Sequence, residues 1–163
     1  MARNFRLWQN LQPTALLKPA ADAAGRTSAY VSLANAHKAT VMFYVNQGNA
    51  ATILISVLQA TDILGTGAKA IAAAPIAVNL DTDTVPSDQI TMVAAAAAYT
   101  TDVGTKTKLV MIEIDPIESM DLANRFNHIA VSTGASNSAN ITAAVLMSGP
   151  LRFAQQNPPT TNV

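Results

Sequence analysis

Apolar and polar residues alternate with a period of two along much of this chain. Because successive side chains of a β-strand point to opposite faces, this alternation predicts strands with one buried face. The two clearest runs lie on either side of the turn-forming segment 46–49, Asn-Gln-Gly-Asn. We therefore predict a β-hairpin over residues 38–60. The apolar positions that share one face are Ala39, Val41, Phe43 and Val45 in the first run and Ile53, Ile55 and Val57 in the second.

Further strand-length runs follow along the chain, separated by turn-rich segments such as 65–67 and 134–138. They cover residues 29–33, 76–80, 89–94, 106–114, 126–133 and 140–147. About eight short strands spaced in this way are typical of a sandwich or a small barrel. The predicted fold is therefore mainly β: a single-domain β-sandwich or a jelly-roll-like barrel of about eight strands.

Two alanine-rich runs, 68–74 and 93–99, have an intrinsic preference for helix that conflicts with this pattern. We interpret residues 93–99 as a strand nonetheless. Residues 117–124 predict a helical turn, because Pro116 precedes them and Glu118 places a negative charge near their start.

The two ends of the chain differ from the middle. Residues 1–27 are predicted to form an extended N-terminal arm, because their apolar residues are irregularly spaced and Pro13 and Pro19 interrupt any helix. Residues 154–163 are polar and proline-bearing, which predicts a flexible C-terminal tail. The β-sandwich domain is expected to span residues 28–153.

Composition narrows the function. The 163 residues contain 10 Lys and Arg against 10 Asp and Glu, so no net field attracts free nucleic acid. The charged share of 12% is low, which fits either a surface covered by other subunits or an alanine-rich soluble domain. No apolar stretch is long enough to span a membrane, and no signal peptide is recognisable, so we expect synthesis in the cytoplasm.

The residues that carry chemistry are sparse and scattered. There is no cysteine, and neither His37 nor His128 has a partner at the spacing of a metal site. Asp81, Asp83 and Asp88 form a loose acidic loop without the glycine and terminal glutamate of an EF-hand. We expect no catalytic residue, no cofactor and no metal ion.

The N-terminal arm carries the residues that we expect to bind a partner. Trp and Arg are the types that most often dominate an interface. The candidate partner-binding residues are Arg3, Phe5, Arg6, Trp8 and Leu11.

Several segments of the chain resemble small virion structural proteins of tailed bacteriophages, of the head decoration or cement type. They are residues 29–39 (AYVSLANAHKA), the predicted hairpin, residues 59–61 and 65–70, and the segment 113–116 (EIDP) that leads into the strand at 126–131. The resemblance covers residues 25–153 and consists of a pattern, since the group has no active-site motif.

The resemblance implies a β-sandwich or jelly-roll-like protein on the surface of the capsid. Its expected partners are the major capsid protein and copies of itself, as a homotrimer. A tail, head-tail joining or spike component of the virion is an alternative, as is a carbohydrate-binding β-sandwich module, although only 5% of residues are aromatic. A hydrolase would need His37 or His128 as its base.

Overall fold

The computed structural model describes residues 11–84 and 89–151, with side chains up to Gly149. Its regular structure consists almost wholly of β-strands. In chain order the strands are β1 (Gln12–Ala21), β2 (Arg26–Thr27), β3 (Val31–Ser32), β4 (Ala36–Gln47), β5 (Leu54–Ala60), β6 (Lys69–Ala70), β7 (Ala74–Asn79), β8 (Thr91–Ala96), β9 (Ala98–Thr100), β10 (Thr107–Ile114), β11 (His128–Thr133) and β12 (Asn140–Leu151).

The strands form two sheets in which every pair is antiparallel. The larger sheet has the order β1-β12-β4-β10-β7-β8. The smaller sheet has the order β2-β11-β5-β6, with β3 also paired to β11 and β9 to β5. The fold is therefore mainly β and a sandwich, as predicted. The sheets do not close into a barrel in the described part of the chain.

The core lies between the two sheets. Each strand turns its apolar face inward, so that side chains of the larger sheet meet those of the smaller one. The buried residues include Val41, Phe43, Val110, Ile112, Ile76 and Leu146 from the larger sheet, and Ile55, Val57, Ile129 and Val131 from the smaller one. Each such side chain contributes about 1.5–3 kcal/mol when fully buried.

The predicted hairpin over 38–60 is wrong, although both of its strands exist. β4 pairs with β10 and β12 in the larger sheet, whereas β5 pairs with β11 in the smaller one. The segment that connects β4 to β5 passes from the larger sheet to the smaller one. Within this segment, the Asn49 amide donates a hydrogen bond to Asn140 Oδ1 of β12 at 2.8 Å. The two apolar faces were identified correctly, but they face each other across the core.

The remaining strand predictions are confirmed, with ends that shift by a few residues. Residues 93–99 were predicted as one strand; they are extended despite the alanine content, but a bend at Ala97 divides them between β8 and β9. The helical turn is also present: a one-turn helix α1 (Pro116–Ser119) is followed by a 3-10 helix (Leu122–Asn124). Asp115 begins α1 by accepting a hydrogen bond from the Ile117 amide. No helix in the described residues is long and apolar enough to cross a membrane.

Part of the expected N-terminal arm belongs to the larger sheet. β1 lies at its edge and pairs with β12, and register shifts occur between Ala15 and Leu17 and between Leu17 and Ala20. Pro19 lies within the second irregular stretch, and Pro is tolerated at a sheet edge because no ladder hydrogen bond is required there. Within the described part of the arm, β1 is extended and paired with β12, residues 23–24 form a turn, and β2 pairs with β11 in the smaller sheet. Residues 1–10 and the predicted tail 154–163 lie outside the described residues.

Candidate interaction face

The face of the larger sheet that points away from the core is unusually apolar. One row of directly paired residues crosses all six strands without a polar side chain. In order across the sheet, the row is Ala15, Val145, Met42, Met111, Ala77 and Met92. Paired residues of an antiparallel sheet share a face, so these side chains lie next to one another. Methionine supplies an adaptable apolar surface for contact.

The neighbouring rows extend this surface, which we call the outer face. Besides the row above, it includes Ile141, Ala143, Tyr44 and Leu109 on one side, and Pro13, Met147 and Thr40 on the other. Met92 is 66% exposed, Tyr44 54%, and Ile141 and Val145 39% each. Large apolar side chains that share an exposed surface mark sites of interaction with another surface.

A groove of about 340 Å³ lies at one end of the outer face. Its lining includes the outward side chains of Thr40, Met42 and Met147, and Leu11 from the start of the described chain. Leu11 precedes β1 at the sheet edge, yet it shares this groove with β4. The Leu11 side chain therefore borders the outer face just before β1 begins.

The same end of the sheet carries a small group of charges. The Lys38 ammonium lies 3.0 Å from Glu113 Oε1, and both side chains are about half exposed. The hydrogen bond to Glu113 and the Glu113 charge, with smaller effects of Asp115 and Glu118, raise the pKa of Lys38. Glu113 thus pairs with Lys38, and the charges of Asp115 and Glu118 act on the same ammonium, so carboxylates outnumber ammonium groups in this small group.

Two buried polar clusters lie near the opposite end of the sandwich and connect its parts. Asp22 is fully buried and accepts hydrogen bonds from Thr133 of the smaller sheet and Thr142 of the larger one, at 2.8 and 2.5 Å. Arg26 completes the cluster through Nη2 at 2.9 Å. These interactions use both carboxylate oxygens and hold the two sheets together.

The second cluster surrounds the buried ammonium of Lys108. Its Nζ lies 2.8 Å from Gln47 Oε1 and 2.5 Å from Asp102 Oδ1. Burial raises the pKa of the Asp102 carboxyl, but hydrogen bonds from Lys108 and the Gly104 amide outweigh it and leave that pKa below its ordinary value. The cluster is fully paired and is a structural feature.

A second groove, of about 430 Å³, lies beside α1 and the 3-10 helix. Its apolar wall includes Leu33 and Met120, and its polar side chains include Arg125 and Asn127. Arg125 ends the 3-10 helix in the left-handed conformation, with φ of 65°. Asn127 is held by His128, whose Nδ1 lies 2.7 Å from Asn127 Oδ1.

The structure locates the other sequence candidates. Asp81 is paired with Lys106, and Asp88 lies outside the described residues. His37 is exposed on β4, while His128 is half-buried on β11. Across residues 11–84 and 89–151, no three His, Asp or Glu side chains are grouped to hold a metal ion.

Of the five expected partner-binding residues, the structure describes one. Leu11 lies in the groove on the outer face, and Arg3, Phe5, Arg6 and Trp8 lie outside the described residues. Sequence reasoning missed the outer face itself. The signal was present, because Met42 and Met111 occupy positions that alternate with buried residues, yet they are also apolar.

Comparisons with known proteins give only remote likenesses. No protein-family model and no curated protein matches the chain. Among solved structures, the chain is similar to the SPBc2 prophage-derived protein YomS, with a TM-score of 0.47, 8% identity and coverage of 84% of this chain and 91% of that chain. It is also similar to a Bacteroides thetaiotaomicron protein proposed to bind sugar, with a TM-score of 0.33, 11% identity and coverage of 77% and 65%. At these scores and identities, neither likeness carries an argument about this chain.

Proposed function

We propose that this chain is a non-enzymatic structural protein of a tailed-bacteriophage virion that decorates the outer shell of the head. Its partners are the major capsid protein and further copies of itself, assembled as a homotrimer. The resemblance of residues 25–153 to decoration proteins supports the class of protein. The observation that carries the binding role is the apolar row across the larger sheet, from Ala15 to Met92.

The outer face has the properties that a decorating protein requires. It is broad, since six strands about 4.8 Å apart give a width of about 24 Å, and at one end it carries the ion pair of Lys38 and Glu113. Burial of its methionine and aromatic side chains against a neighbour supplies affinity without a catalytic group. Repetition by symmetry then converts modest contacts into firm attachment.

The N-terminal residues have a role in the same contact. Arg3, Phe5, Arg6, Trp8 and Leu11 are the proposed partner-binding residues, with Phe5 and Trp8 as apolar anchors and the arginines as charged ones. Support comes from Leu11, which lies in the groove of the outer face. The arm and the face therefore belong to one proposed interface.

The test is a rebinding experiment with purified protein and particles that lack it. Size-exclusion chromatography with light scattering gives the oligomeric state, and sedimentation of particles gives the bound amount. We expect the wild-type protein to be a trimer that rebinds the particles. We expect Met111→Glu to rebind much less. Leu64→Glu is the matched control, because Leu64 is 89% exposed in a loop next to the smaller sheet. Equal rebinding of both variants would contradict a role of the outer face.

Copy number in purified particles separates decoration from the other virion roles. A decoration protein occurs in a number comparable to that of the major capsid protein, whereas a joining or tail-tip component forms a single small ring. We expect the higher number. Failure to bind any particle, together with a monomeric state, would contradict the proposal as a whole.

A further inference from the structure

We propose that the groove on the outer face is the binding site for the first ten residues of the same chain, so that residues 1–10 and the larger sheet form one composite surface. This inference concerns the isolated subunit and does not depend on its place in a virion. It rests on where the described chain begins, on the reach of the preceding segment and on complementary charge.

The described chain begins beside the groove. Leu11 lines the groove together with Met42 of β4 and Met147 of β12. The next residue, Gln12, already pairs with Ser148 at the edge of the sheet. Residues 1–10 are therefore joined to the described chain beside the groove.

Residues 1–10 are long enough to extend from Leu11 into the groove. An extended residue spans about 3.3 Å, so Trp8 lies within about 10 Å of Leu11 and Phe5 within about 20 Å. Neighbouring strands are about 4.8 Å apart, so these reaches correspond to about two and four strands. Trp8 can therefore reach Met42 of β4, two strands from β1, and Phe5 can reach β7, four strands from β1. Met42 lines the groove and belongs to the apolar row.

The charges of the two surfaces are opposite. Residues 1–10 contain Arg3 and Arg6 and no acidic residue. At the groove, Glu113 is paired with Lys38, while Asp115 and Glu118 add negative charge to the same neighbourhood. An arginine above this group meets carboxylates that a single ammonium does not neutralise.

Trp8 provides a direct test because it is the only tryptophan in the chain. We expect its fluorescence in the folded protein to be shifted to the blue and protected from acrylamide quenching, relative to the same protein in urea. Met42→Glu is expected to shift the emission to the red and to raise the quenching constant, because Met42 lines the groove. Leu64→Glu, in a loop next to the smaller sheet, should leave both quantities unchanged. Far-UV circular dichroism shows whether each variant is folded.

Three results would overturn the inference. The first is solvent-like emission of Trp8 in the folded wild-type protein. The second is a blue shift that appears only as protein concentration rises, because the occupant of the groove would then be a second copy. The third is wild-type emission in two folded variants of the groove lining, Met42→Glu and Met147→Glu. Particle rebinding is measured separately, so failure here leaves the proposed virion role to its own test.

Discussion

At the scale of single residues, Asp22 joins the two sheets. Its carboxylate is fully buried and accepts hydrogen bonds from Thr133, Thr142 and Arg26. A buried charge is stable only where its partners replace the lost water, and removal of such a hub leaves several donors unsatisfied. The predicted N-terminal arm, residues 1–27, included Asp22 and gave no sign of this role.

Substitution of Asp22 tests the junction. We expect Asp22→Ala to lower the free energy of unfolding by about 3–5 kcal/mol, because Arg26 and two threonine hydroxyls lose their acceptor. Urea denaturation followed by circular dichroism measures the change. Asp83→Ala is the control, since Asp83 is exposed and the same carboxylate is lost there from a loop. Similar destabilisation by the two substitutions would contradict the assigned role.

His128 makes the stability of the protein depend on pH. Burial lowers its pKa, and the nearby charge of Asp62 opposes the shift without cancelling it. The unfolded chain therefore binds more protons than the folded one just below the ordinary histidine pKa of about 6.5. The stability that this group contributes is complete above that pH, and it is lost as the pH falls through the folded pKa.

We expect His128→Gln to remove part of the pH dependence between about pH 5 and 7. The free energy of unfolding, measured by urea denaturation at a series of pH values, should decrease less in the variant as the pH falls. Glutamine retains a hydrogen-bonding group beside Asn127 but does not titrate in this range. Identical slopes for wild type and variant would show that His128 does not contribute.

At the scale of elements, the connections are as specific as the strands. Gly25, between β1 and β2, has φ of +69°, and a Cβ there would lie 2.7 Å from the Thr133 carbonyl oxygen. Gly67 has the same φ, but its nearest neighbour would be the Phe126 ring at 3.5 Å. Both glycines have a left-handed backbone, but only Gly25 lacks room for a Cβ. A comparison of the two therefore separates the cost of the conformation from the cost of a steric clash.

This pair yields a quantitative comparison. Gly67→Ala should cost about 1 kcal/mol, the penalty of a left-handed conformation alone. Gly25→Ala should cost about 2–4 kcal/mol, since the clash with the backbone of β11 adds strain. Thermal or urea unfolding measures both. Equal costs would mean that the turn before β2 relaxes freely.

The same scale shows how far the sequence determined the fold. Period-two alternation located nearly all the long strands, because one face of each strand is buried. It did not identify which strands pair, since β4 and β5 carry the same pattern whether they lie side by side or face each other. β1 was read as an arm because edge strands need neither strict alternation nor a full ladder, and Pro19 fits there.

The candidate site was less accessible to sequence reasoning than the fold. The apolar row depends on register between six strands, and only tertiary structure brings Met42, Met111 and Met92 together. Arg3, Phe5, Arg6 and Trp8 were selected by residue type, which does not reveal their target. Leu11 links the candidates chosen from the sequence to the outer face, because it is one of those candidates and also lines the groove.

At the scale of the whole molecule, two deletions distinguish the proposed role of residues 1–10 from the contribution of β1 to the sandwich. Removal of residues 2–10 leaves β1 and its pairing with β12 intact, so we expect a folded protein with exposed outer-face methionines and weaker attachment to particles. Removal of residues 2–20 also deletes most of β1, including Leu17 of the core, and exposes the edge of β12. An unpaired edge strand promotes aggregation.

The shorter deletion is therefore the informative one. We expect it to keep a cooperative unfolding transition and to reduce particle rebinding, whereas the longer deletion should lose stability by several kcal/mol and aggregate. Circular dichroism, light scattering and particle sedimentation measure the three effects. Unchanged rebinding of the shorter deletion would remove residues 2–10 from the interface. Full stability of the longer one would show that β1 adds little to the sandwich, contrary to its seven paired positions with β12.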